Sequence, residues 1–356
     1  MVEDSAGISI VRNQGADRPA DWRLVRAFSI APRDTAAGLP PRLTPDLATA
    51  DGRGTSYVAT SDRLLRFDSL GRSLPPFGRR GSGPGEFQYG YFVLVEPSGR
   101  PGVADFGKRA VVSFERDGSP VPELSFTGLG SPEYAPRRVG DTLLVITLDR
   151  QAERFELRTG TASATSTLLA IDNPLSEPND WGCVKMPPEG RLFASTIAAD
   201  WNGHYIAVAS RPEYEISLFT DRRVTRLIRR NLPPLATTAA LIRRRYPAGD
   251  SITFGGGGRP PCIRSAEALM AKRGWASFIQ PIAGMRFAPD GWLWVDRTRF
   301  PDEPHRVDIF DDTGRYRGSL PTPGPLLGFA TSALVLFAVP DSLDGGDRLE
   351  GYRLVR

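Results

Sequence analysis

Residues 78–118 read GRRGSGPGEFQYGYFVLVEPSGRPGVADFGKRAVVSFERDG. A glycine-rich turn leads into an apolar run. A turn follows at Ser98-Gly99, then a short run ending in Asp105. After a break at Gly107-Lys108 come Ala110–Phe114 and a further turn at Asp117-Gly118. Runs of strand length bounded by Gly, Asp and Ser predict one antiparallel sheet unit with its connections.

Weaker copies of this unit lie on both sides. In each, an apolar strand meets a Gly or Asp turn, a second strand ends near an acid, and a third strand of the form x-V-x-x-F-x follows. The copies start near residues 47, 91, 136, 191, 277 and 325, with turns at Asp51-Gly52, Ser98-Gly99, Gly140-Asp141, Asn202-Gly203 and Asp290-Gly291 in the first five. A period of roughly 40–50 residues with about four short strands per unit predicts an all-β chain built as a six-bladed β-propeller. The reason is burial: a four-stranded blade cannot cover its own two faces, so blades stack radially about an axis. The sixth copy lacks a strand after Val355, while the N-terminal strands Ile8–Arg12 and Trp22–Ala31 have no blade. An N-terminal strand is therefore expected to complete the last blade and leave no open edge. One domain would span 1–356.

Two regions break the rhythm. Residues 175–190 read as loop. Residues 233–276 form an insertion between blades 4 and 5, with helical character at Leu235–Arg245 and a short capped helix at Ser265–Lys272. Between these, Ser251–Gly258 ends in four glycines and reads as a mobile loop or a place of close backbone approach. Cys183 and Cys262 fall in the two irregular regions. They are read either as a disulfide joining the regions in an oxidising compartment, or as two separate thiols.

Net charge is +4, and nearly all the positive charge is arginine. The arginines are scattered among acids, so they read as a compositional bias and not as the one-signed stripe of a nucleic-acid binder. No run of about 18 apolar residues predicts a transmembrane helix. Met1 is followed at once by Val-Glu-Asp-Ser, without the basic and apolar regions of an export signal. Either the protein is cytoplasmic or such a signal has been removed.

Gly78-Arg79-Arg80-Gly81-Ser82-Gly83-Pro84-Gly85-Glu86-Phe87 resembles the inter-blade element of NHL-type repeats, and Val103-Ala104-Asp105 with Val111–Phe114 resembles their core. The whole chain resembles the bacterial six-bladed, NHL-like propellers, many of them uncharacterised envelope lipoproteins. Asp4–Val11 resembles their mature start after export. The resemblance implies a monomeric propeller in the periplasm or at the cell surface, and no reaction. It thereby favours a non-enzymatic binding or scaffold protein that recognises a protein, peptide or glycan.

The alternative is a hydrolase. Acids at the ends of the second strands, Asp62, Asp105, Asp149, Glu213, Asp296 and Asp341, would gather at one end of the channel if the blades close. Oxygen ligands from several loops suit Ca²⁺, and Asp105, Asp149 and Asp296 are the candidate ligands. The gluconolactonase-like propellers, which this arrangement resembles, use a central divalent ion for lactone hydrolysis. The competing reading is that each acid caps its own turn. Arg297, beside Asp296, is a candidate for an anionic ligand. His204 and His305 are the only histidines, which argues against a histidine-rich metal site. Gly78–Gly85 is not a phosphate cradle, because a strand and not a helix follows it. Trp292 and Trp294 share a sheet face and read chiefly as packing.

Overall fold

The structure is a computed structural model that describes residues 2–32, 38–161, 163–173, 179–180, 185–186, 191–245, 251–254, 262–265, 268, 274–300, 302–341 and 345–356. Six antiparallel sheets of the expected kind are present. Blade 1 runs Ala48–Ala50, Ser56–Ala59, Leu64–Phe67 and Ser73–Phe77. Blade 2 runs Gly90–Val95, Pro101–Asp105, Ala110–Phe114 and Pro120–Ser125. Blade 3 comprises Arg137–Val139, Thr142–Asp149, Arg154–Gly160 and Thr165–Asp172. Blade 4 comprises Ala198–Trp201, Ile206–Ala209, Glu215–Thr220 and Arg223–Arg230. Blade 5 is Ile282–Phe287, Leu293–Arg297, His305–Phe310 and Tyr316–Thr322. Blade 6 takes Leu326–Thr331, Leu334–Asp341 and Gly346–Val355 from the C-terminus and Arg23–Ile30 from the N-terminus.

The core lies between blades, in six clusters. Alternation along a strand explains how one blade feeds two of them. Val111 packs with Leu143 and Val145 of blade 3, whereas its neighbour Val112 packs with Tyr57 and Leu64 of blade 1. Each buried aliphatic or phenyl side chain contributes about 1.5–3 kcal/mol through burial. A blade alone would expose both faces and lose these contributions.

Closure follows from Arg23–Ile30, which pairs antiparallel with the last strand from Arg23↔Val355 to Ile30↔Leu349. The other N-terminal strand has a place the sequence did not indicate. Val2–Ser5 and Ile8–Asn13 form a hairpin, and Ile8–Asn13 lies parallel to Arg223–Arg230 on the outer edge of blade 4. Blade 4 thereby becomes a six-stranded sheet. Residues 14–22 then cross blade 5, where Ser319 N donates to Arg18 O and Ala20 N donates to Ser319 O.

The insertion differs from expectation. Leu235–Ala236 is a short strand paired with Phe278–Ile279, and within Leu235–Arg245 the helix is confined to Ala239–Arg245. Thr238 Oγ1 accepts from Leu241 N at the helix start, which explains where the turn begins. Ser251–Phe254 is a strand paired antiparallel with Cys262–Ser265, where the sequence predicts the start of a loop. Ser265 ends a strand, and most of the expected helix after it lies outside the described residues. So do Gly255–Gly258 and Cys183, and with Cys183 the expected pairing to Cys262.

The glycine-rich turn closes on its own side chains. Glu86 accepts from Gly83 N and from Arg79 Nε. Gly85 has φ +72, and a Cβ there would come within 2.9 Å of Pro120. The turn serves blade packing.

Candidate functional site

Antiparallel strands alternate in direction, so turns between first and second strands collect on one face of the ring. Turns between second and third strands collect on the other. The expected acids lie in the second kind of turn (Asp62, Glu213) or at the end of the strand leading into it (Asp105, Asp149, Asp296, Asp341). Asp105 is fully buried, and its carboxylate accepts from Gln88 N, Tyr89 N and Lys108 N. Asp149 accepts from Gln151 N and Ala152 N, which hold its carboxyl below the ordinary range. Asp62 binds Thr60 and Arg63, and Asp341 binds Arg348. Glu213 is exposed. Arg297 is paired with Asp17 at 2.6 Å.

Among the described residues, no three His, Cys, Asp or Glu side chains group so as to hold a metal ion. The calcium set Asp105, Asp149 and Asp296 is not assembled, because the first two already serve as turn caps. The donor set does not fit a calcium ion. Trp292 and Trp294 pack on Trp22, with ring centroids 5.2 and 6.3 Å away.

Asp296 is the one member of the expected set that interacts with a channel arginine, Arg286. It accepts from Leu326 N at 3.2 Å. Burial pushes its carboxyl up to about 7, against the pull of that N–H and of Arg286. Between pH 4 and pH 7 the folded state therefore holds a proton that the unfolded chain has released. Stability from this group is greatest at acid pH and falls as pH rises through 7. We expect Asp296→Asn to match wild type in melting temperature near pH 4 and to exceed it increasingly up to pH 8. A thermal-denaturation series across that range checks it; equal melting temperatures at both pH values would refute the burial argument.

A cavity walled by every blade lies on the axis. It measures about 370 Å³ and opens among the first-to-second strand turns. Its walls come from the innermost strands of all six blades: Ala50, Val95, Arg137, Trp201, Arg286 and Phe329 represent them in order. At its floor Arg137 Nε donates to Asp200 Oδ1 at 2.6 Å, and Arg137 Nη1 donates to the carbonyls of Ala135 and Pro136. The other Asp200 oxygen accepts from Phe287 N at 2.8 Å. Among the described residues Arg286 donates to the carbonyls of Met285 and Pro45 alone. Burial, and then the like charge of Arg137, bring its guanidinium down to about 10. Asp46 lies close enough to act on Arg286 and accepts from Ala135 N.

Sequence reasoning missed Asp46, Arg137, Asp200 and Arg286. A usable signal was present: charged residues interrupt the first strand of three successive repeats, at Arg137, Asp200 and Arg286. The first strand is the one that lines the axis.

No family model matches the chain, and no curated protein sequence matches it. Similarity to solved structures spans the full length. A Bacteroides fragilis protein provisionally described as exported has 11% identity and a TM-score of 0.51, covering 98% of this chain and 100% of its own. A member of the DUF4221 family from Bacteroides vulgatus has 9% identity and a TM-score of 0.50, covering 95% of this chain and 99% of its own. Identity at this level speaks for architecture alone. Together with the six sheets and their closure, it identifies the chain as a six-bladed β-propeller.

Proposed function

We propose that the protein is a non-catalytic binding propeller of the bacterial envelope that takes a protein segment, peptide or glycan at the channel mouth. One observation carries this reading. The cavity is walled by all six blades and combines arginines (Arg53, Arg137, Arg286) with the aromatic residues Trp201 and Phe287, an arrangement suited to recognition. The hydrolase alternative required a divalent ion, and two of the three carboxylates expected to hold it, Asp105 and Asp149, cap turns. The extracytoplasmic address rests on the resemblance of the whole chain to the NHL-like envelope propellers. No described helix is long and apolar enough to cross a membrane.

The test uses two substitutions that fill the mouth, Ala50→Trp and Val95→Trp. Peptide-display and glycan-array screens should yield ligands for the wild-type protein that both filled variants lose. Ligands that bind the filled variants equally well would place recognition elsewhere. A screen that yields none would argue against a binding role for the mouth.

A further inference from the structure

We propose that the channel mouth binds a carboxylate-bearing ligand, acid group first, on Arg286 and Arg137. The inference rests on the binding reading above and adds the chemistry of the ligand. It starts from an inventory of charge around the cavity. Each acid that lines it is already engaged within the protein. Asp51 accepts from Arg53 N and Thr55 N. Glu96 faces Arg138 at 3.3 Å and accepts from Ser98. Asp200 is held by Arg137 and Phe287 N.

The floor arginines are engaged less completely. Arg286 has no ion-pair partner among the described residues; both of its hydrogen bonds go to neutral carbonyls. Arg137 uses Nε and Nη1, and its Nη2 makes no hydrogen bond among the described residues. Neither Arg137 nor Arg286 contributes an atom that is both buried and unsatisfied. The unbonded nitrogens, Arg137 Nη2 and Arg286 Nε, are therefore open to solvent, and both residues line the cavity. Arg137 repels Arg286 more strongly than Asp200, Asp46 or Asp296 singly attracts it, and a further anion between the two guanidiniums relieves that repulsion. A guanidinium fork matches the planar carboxylate in a bidentate manner. The cavity is at the small end of ligand pockets, which run about 300–1,000 Å³. It admits one acid-bearing unit, such as a small organic acid or the C-terminal residue of a peptide. Trp201 and Phe287 stand beside the floor for its apolar part.

The experiment is calorimetric titration with four probes: N-acetylphenylalanine and its amide, and acetyl-Ala-Ala-Phe with a free and with an amidated C-terminus. The acids should bind at least about tenfold more tightly than their amides, as charge-assisted bonds exceed neutral ones. Arg286→Gln should abolish that preference. Arg286→Lys keeps the charge and loses the fork, so it should weaken acid binding by about tenfold and serves if the Gln variant does not fold. Tighter binding of the tripeptide acid would identify a peptide C-terminus as the source, and tighter binding of the single amino acid a free small acid. Equal affinity for acid and amide overturns the inference. So does acid binding indifferent to Arg286, or no binding of either acid at millimolar concentration. Amide binding that ignores Arg286 but is lost in Ala50→Trp would overturn the carboxylate while leaving the mouth as the binding site.

Discussion

Replacing Asp308 by alanine is expected to lower the unfolding free energy by about 3–5 kcal/mol, the cost of removing one partner of a buried ion pair. Asp308 is fully buried in the third strand of blade 5. One oxygen accepts from Arg230 at 2.7 Å and from Tyr214 OH at 2.8 Å; the other accepts from Ser319 Oγ at 2.5 Å. Arg230 comes from blade 4 and is 1% exposed, so without Asp308 its charge is stranded between blades. It also stacks on the Tyr316 ring at 3.8 Å and reaches Asp17 at 2.9 Å. Asp17 cannot replace the lost partner, since Arg297 and Arg306 already share its other oxygen. Asp308→Asn should be milder, because an amide oxygen still accepts from one donor. Urea unfolding measures both variants. A loss below about 1 kcal/mol for the alanine variant, the scale of an exposed ion pair, would refute the account.

Phe28→Ala should cost a similar amount, about 3–5 kcal/mol for a buried phenyl ring. Phe28 lies in the closing strand and belongs to the cluster shared by blade 6 and blade 1. Its ring fills room left by two glycines. A Cβ at Gly71 would come within 2.7 Å of it, and one at Gly351 within 2.3 Å. Backbone without side chains cannot close over the vacancy, so the cavity should persist. The loss falls on the seam where the two ends of the chain meet, so its effect should spread beyond packing. Opening that seam exposes an edge of blade 6 to pairing with other chains. The expected result is a lower urea midpoint together with faster proteolytic cleavage before Ile30. A variant equally unstable but no more readily cleaved there would show that the seam is not the weak point.

The blade pattern was legible because its cause is local. Turn residues such as Ser98-Gly99 and Asp290-Gly291, and strands such as Ala110–Phe114, carry their preferences in a few neighbouring residues. Burial on both faces of a sheet follows from the same short runs. The acids were legible as acids, and Asp105 was recognised as the end of its strand. Its capping of the following turn, at Lys108 N, was legible; its bonds to Gln88 N and Tyr89 N were not, because they come from a different strand connection. Asp308 was hidden for a related reason. An acid between Val307 and Ile309 reads as an exposed alternate position until blade 4 brings Arg230 and Tyr214 against it.

The sequence by itself determined the repeat, the number of blades and the need for an N-terminal strand to seal the ring, since each depends on strand length, turn chemistry and the count of apolar faces. Only the tertiary structure decided which charged residues meet on the axis. Arg137, Asp200 and Arg286 are separated by 63 and 86 positions in the chain, and nothing in their neighbours relates them. Radial packing places one innermost strand from each blade around a common axis, and that packing makes a site from residues that are otherwise unrelated.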